Sequence, residues 1–270
     1  MYRGLPAILV AVVATAQTPA GSAADRFEVA SIKPKNGADR TVYLAAPSPG
    51  TFRAENVWLR FLVQIAWDVR NYQVVGGPGW TGSDRYDINA KAEGRLNFNQ
   101  MKPMLKALLE DRFGLKLHAE TREMPIYALV TTRSVKLQET KEGSCMAPHP
   151  NSPEPGKLPV CGAIGTSPHS IGGTGIPMAQ LAATLSSILQ RTVVDETGLA
   201  GIFDIHMEWT ADQSTPGFFA PGVGSPAPPV ADDGASLFTV IREKLGLSLD
   251  AKKGPVTILV IDEAEKPSPN

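Results

Sequence analysis

One apolar pattern occurs twice along the chain and constrains the fold more than any other feature. Met178, Leu181, Leu185 and Ile188 repeat the spacing of Leu59, Leu62, Ala66 and Val69 at a constant offset of 119 residues. Val193-Val194 then falls on Val74-Val75, Gly198 on Gly79 and Gly201 on Gly82, and after a short deletion Phe203-Asp204-Ile205 falls on Tyr86-Asp87-Ile88. Further on, Leu237, Val240 and Ile241 match Leu105, Leu108 and Leu109 at an offset of 132, Leu245-Gly246-Leu247 lies on Phe113-Gly114-Leu115, and Leu259-Val260 lies on Leu129-Val130. Matches that keep their order over such a length imply one supersecondary unit built twice.

The unit itself can be read from local signals. Phe27 to Ile32 alternates apolar and polar residues and ends at Lys33-Pro34, a strand stopped by proline. A short strand near Thr51 to Glu55 precedes an amphipathic helix that opens at Leu59. Gln73 to Val75, a Gly/Pro turn and a strand from Arg85 to Ala90 follow; a second helix carries Leu105, Leu108 and Leu109 and stops at Gly114, as a helix-ending glycine would. Leu115 to Ala119 and Ile126 to Val130 read as a pair of strands. The expected fold class is α+β, with two tandem β-α-β-β-α-β-β units, each a small mixed sheet packed on two helices. The first unit is placed at 25–133 and the second at 171–265. Two stretches have no counterpart: a Pro/Gly/Ser-rich linker at 134–170, and a low-complexity insertion at 211–234 that reads as mobile, as does a tail at 266–270.

Compartment follows from the ends of the chain and from its cysteines. Arg3, the apolar run Leu5 to Ala16 and small residues through Ala24 read as a signal peptide over 1–24. That run is well short of the roughly 20 residues that span a bilayer, so no transmembrane helix is expected in the mature chain. The protein is therefore expected in the periplasm or outside the cell. Cys145 and Cys161, both in the linker, then favour one disulfide, worth about 3 kcal/mol for a loop of this size in the chain-entropy model. A Cys2His2 cluster with His149 and His169 can be drawn, but its spacing matches no standard finger. With 26 basic and 27 acidic residues the formal net charge is -1, which gives no field to attract nucleic acid.

The motifs that invite a catalytic reading are weak. Gly77-Pro78-Gly79-Trp80-Thr81-Gly82 fits G-x-G-x-x-G, yet a strand, not a helix, is expected after it, and a dinucleotide site needs the helix. Gly79 and Gly82, with Gly198 and Gly201, are expected to supply positive φ in turns. Asp87 and Asp204 occupy equivalent positions and are expected to accept turn N–H groups; Asp195 is expected to close the turn to Gly198. His118, His149, His169 and His206 are scattered, and Ser167-Pro168-His169 lacks an orienting acid. Trp58, Trp67, Trp80 and Trp209 read as core or inter-unit residues. No catalytic, cofactor-binding or metal-binding residue is expected.

The runs Phe27 to Pro34, Arg112 to Pro125 and Val193 to Ile205 resemble those of soil-associated exported proteins, a family of unknown function, over nearly the whole mature chain. Some members of that family are fused to membrane peptidase sensors, which implies signalling across an envelope. The second unit is also similar at fold level to the short N-terminal domains of secretins and TonB-dependent transducers, modules that make protein contacts. The expected function is a non-enzymatic binding or adaptor module of the cell envelope, with another envelope protein or peptide as partner. The alternative is a secreted hydrolase or metal-dependent enzyme with a site between the two units.

Overall fold

The computed structural model describes residues 26–37, 41–147, 158–167, 169–210 and 234–267. Two strands, Val29–Lys35 (β1) and Tyr43–Ala45 (β2), precede the first repeat. That repeat runs Thr51–Val57 (β3), Leu59–Trp67 (α1), Val74–Gly76 (β4), Arg85–Lys91 (β5), Lys102–Phe113 (α2) and Lys116–Thr131 (β6). Gln138–Glu139 (β7) and Ile164–Ser167 (β8) come next. The second repeat runs Ser170–Ile176 (β9), Met178–Leu189 (α3), Val193–Asp195 (β10), Phe203–Glu208 (β11), Leu237–Val240 (α4, continued by a π turn over Ile241–Leu245) and Leu247–Glu263 (β12). The fold is α+β, and β3, β4, β9 and β10 keep the 119-residue offset at both ends.

Apolar spacing sets the helices. Leu59, Leu62, Val63 and Ala66 put one stripe of α1 in the core, and Met178, Leu181, Ala182 and Leu185 do the same in α3. Each helix stops on a left-handed residue: Asp68 after α1, Gly114 after α2, Gln190 after α3 and Gly246 after the π turn. Gly246 is required for space as well as for φ, since a Cβ there would lie 2.0 Å from the Ser134 carbonyl oxygen.

The strands form three four-stranded sheets. The first has the order β1-β5-β3-β2 and the third β7-β11-β9-β8; the central sheet, β10-β6-β12-β4, draws on both repeats. The two strands expected at 115–119 and 126–130 are one 16-residue strand, β6, because β12 pairs with it antiparallel along its whole length. The polar stretch between the expected strands is a solvent-facing ribbon in which Arg122 pairs with Glu120. β10 joins β6 in parallel only at Tyr127 to Leu129, and β4 joins β12 only at Leu259 to Ile261. Between those contacts the ribbon is two strands wide, both strands are edges, and Pro125 and Pro255 are accommodated.

The ribbon exchanges strands between the two halves. Leu259 and Ile261 of the second repeat are buried in the first core with Phe52, Leu62, Leu105 and Phe113. Leu129 of the first repeat is buried in the second core with Ile171, Leu185, Phe203 and Leu237. A small third core over the middle of the ribbon joins Ile126, Val256 and Ile258 to Tyr72, Val75 and Val194. Glu123 and Pro255 lie opposite each other near the middle of the ribbon.

The expected signal peptide at 1–24, His149 and all but the last residue of the 211–234 insertion lie outside the described residues. Lys266, expected in a loose tail, is held by Asp84 Oδ2 at 2.7 Å, and Pro267 beside it is buried.

Candidate functional site

The repeated residues serve the backbone. Asp87 sits opposite a bulge in β3, where its Oδ1 accepts the Asn56 N–H at 2.9 Å while Asn56 adopts φ 57. Asp204 sits opposite the matching bulge in β9, but its Oδ1 accepts the Thr140 hydroxyl at 2.7 Å, and that hydroxyl oxygen accepts the Gly175 N–H at 3.0 Å. Both aspartates therefore serve a bulge in the neighbouring strand, not a turn. Asp195 Oδ1 accepts the Thr197 N–H at 3.0 Å and its hydroxyl at 2.7 Å, closing the turn to Gly198.

The glycine turns differ between the copies. Gly198 and Gly201 have φ 66 and 107, as expected, but Gly79 and Gly82 form a 3₁₀ turn without positive φ. The positive φ has moved to Gly76 and Gly77, where β12 passes so close that a Cβ would lie 2.8 Å from the Ile261 carbonyl oxygen and 2.9 Å from its Cγ2. β5 follows the turn, so no helix N-terminus meets the third glycine.

The other candidates are dispersed. Cys145 and Cys161 are joined in a disulfide. His118 Nδ1 lies 2.9 Å from the Asp262 carboxylate across the ribbon; that hydrogen bond raises the imidazole above its ordinary pKa. His206 is exposed, 3.7 Å from Glu208. The Ser167 hydroxyl is 2.9 Å from that of Ser170 and accepts the His169 backbone N–H. Among the described residues no three His, Cys, Asp or Glu side chains converge as a metal site, and no helix is long and apolar enough to cross a membrane.

The repeat made no allowance for one region, a cleft of about 650 Å³ along α1. Trp58, which precedes α1 in extended conformation, stacks on Phe61 with ring centroids 5.0 Å apart, and Ile65 and Val69 extend this apolar lining. Arg85 lies over Trp58, its Cζ 4.1 Å from the ring centroid. Arg60 reaches the edge of the central sheet, donating to the Val74 and Gly76 carbonyls at 3.0 and 2.8 Å. Gln64, one turn along, donates to Asn71 Oδ1 at 3.2 Å.

Arg70 stands at the junction of the halves. It lines the α1 cleft, where Gln190 supplies a wall from the second repeat, and it also lines two smaller cavities of about 450 and 300 Å³ against α3. Beside it the Tyr72 hydroxyl meets Thr192 Oγ1 at 3.0 Å, a bond between halves, and burial pushes the phenol above its ordinary pKa. Nε of both Arg60 and Arg70 is buried without a hydrogen-bond partner among the described residues. The one carboxylate on the cleft, Asp68, is 76% exposed and paired with Lys102 at 3.3 Å.

Sequence reasoning placed Trp58 in the core or between units and overlooked the arginines. A signal for them exists in the repeat itself. Trp58, Arg60, Phe61 and Arg85 stand where the second copy has Pro177, Ala179, Gln180 and Ile202, so the aromatic and cationic lining of the cleft is not repeated in the second copy.

No curated protein and no solved structure matches the chain. A family model described as "Protein of unknown function (DUF3738)" matches residues 60–264, which takes in most of both repeats and every residue lining the cleft except Trp58. The chain belongs to that family.

Proposed function

We propose that the chain is a non-enzymatic binding module of the cell envelope, exported to an oxidising compartment, that acts through protein–protein contacts at the α1 cleft. The observation that carries this reading is the chemistry of the cleft's polar groups. Apart from the solvent-turned Asp68, they are the guanidinium groups of Arg60, Arg70 and Arg85 and the amides of Gln64, Asn71 and Gln190. General acid–base catalysis works best with a group whose pKa lies near the operating pH, whereas guanidinium and amide groups hold a ligand without exchanging protons with it. The Cys145–Cys161 disulfide supports the compartment.

Three of the sheet edges, β4, β10 and β1, offer a partner less. β4 and β10 are three residues each, and β1 presents Lys33-Pro34-Lys35, a combination that blunts strand addition. A photo-cross-linking residue at Gln64 should trap a discrete protein in intact cells. The same residue at Glu110, exposed on α2, should not. Identical products from both positions, or none from Gln64, would overturn the reading.

A further inference from the structure

We infer that the α1 cleft recognises an acidic peptide segment, with a carboxylate held among Arg60, Arg70 and Arg85 and an adjoining apolar side chain laid on Trp58 and Phe61. This rests on the binding reading above and names the chemistry of its partner.

Charge complementarity points to the carboxylate. Three guanidinium groups line the cleft; Arg85 is also engaged elsewhere, donating to the Asn56 carbonyl at 3.4 Å, and the one carboxylate in the lining, Asp68, is turned to solvent and engaged by Lys102. A guanidinium binds a carboxylate through two parallel N–H donors, so its geometry selects as well as attracts. Two of the three are already fixed: Arg85 by its stacking on Trp58, and Arg60 by its two backbone carbonyls. Fixing them before binding lowers the entropy cost of capture. The Nε atoms of Arg60 and Arg70 are buried without a hydrogen-bond partner among the described residues, so both guanidinium groups keep unmet donor capacity beside the cleft.

Shape points to the rest of the ligand. The stacked Trp58–Phe61 pair continues into Ile65 and Val69, an apolar surface beside the charged one. An aliphatic or aromatic side chain fills such a surface, and a sugar-phosphate backbone does not. Arg70 places the charge at the seam of the halves, and Gln64 and Asn71 line the cleft with side-chain amides suited to a peptide main chain.

The test is a calorimetric titration of the full chain with three synthetic peptides: one carrying alternating acidic and aromatic or aliphatic residues, its amide counterpart, and an acidic one with every apolar residue replaced by serine. Inorganic phosphate serves as a competitor. The first peptide should bind, weaken as salt is raised, and lose about tenfold in affinity as either the amide or the serine version. Arg70→Gln and Trp58→Ala should each weaken it by about tenfold or more. Equal binding of the amide peptide, displacement by phosphate at an ionic strength where sodium chloride leaves the peptide bound, unchanged affinity in both variants, or no saturable binding would each overturn the inference. The peptide comparison uses the unaltered protein and so stands even if a variant fails to fold. If Gln64 still traps a protein that the acidic peptide cannot displace, the binding reading survives and only its acidic chemistry fails.

Discussion

At the scale of single residues, the two copies solve one problem in two ways. A bulge leaves a backbone N–H turned away from its ladder partner, and such a donor needs an acceptor. In the first copy Asn56 holds the bulge and Asp87 takes its N–H directly. In the second copy Gly175 stands there, because a Cβ would lie 3.1 Å from Cys161 Cβ and 3.2 Å from Cys145 Sγ, and the Thr140 hydroxyl intervenes between the N–H and Asp204. The aspartates are therefore unequal. Asp87→Ala removes the carboxylate that accepts the Asn56 N–H at 2.9 Å and should cost about 1–3 kcal/mol in chemical denaturation. Asp204→Ala leaves Thr140 in place and should cost less; equal losses would mean that both carboxylates act through something other than the bulge.

At the scale of elements, what the sequence showed and what it hid separate along one line. Helix stripes, helix-ending residues and the repeat offsets depend on neighbours within a few residues, and Leu59 to Ala66, Gly114 and the 119-residue register were all visible. The partner of a strand is a long-range choice, so Glu120 to Pro125 looked like a break between two short strands until β12 was seen beside it. The cleft was hidden for a related reason: Trp58, Arg70 and Arg85 are scattered in sequence and meet only after α1 packs on the sheet. The exchanged strand carries a direct test. Ile261 belongs to the second repeat but packs in the first core, so Ile261→Ala should cost about 2–5 kcal/mol. Hydrogen exchange should rise in α1, α2 and β4 while α3 and β11 keep their protection. Faster exchange confined to α3 and β11 would show that β12 serves its own half instead.

At the scale of the whole molecule, the repeats are bound by interpenetration more than by the chain that connects them. Each core is closed by the other half's last strand, the ribbon runs the length of both strands, and the third core has side chains from both halves. A connection between such halves keeps them at high local concentration but contributes none of these contacts. A protease site placed within 150–155 and then cut would leave Cys145 and Cys161 as the only covalent tie across the gap. Once that tie is reduced, the two fragments should still elute together from a sizing column in native buffer at the mass of the intact chain. They should part only in denaturant, and the midpoint of that transition should fall as the protein is diluted, since unfolding has become a dissociation. Fragments that separate in native buffer after reduction would mean that the halves are tied by their linker and not by the strands they exchange.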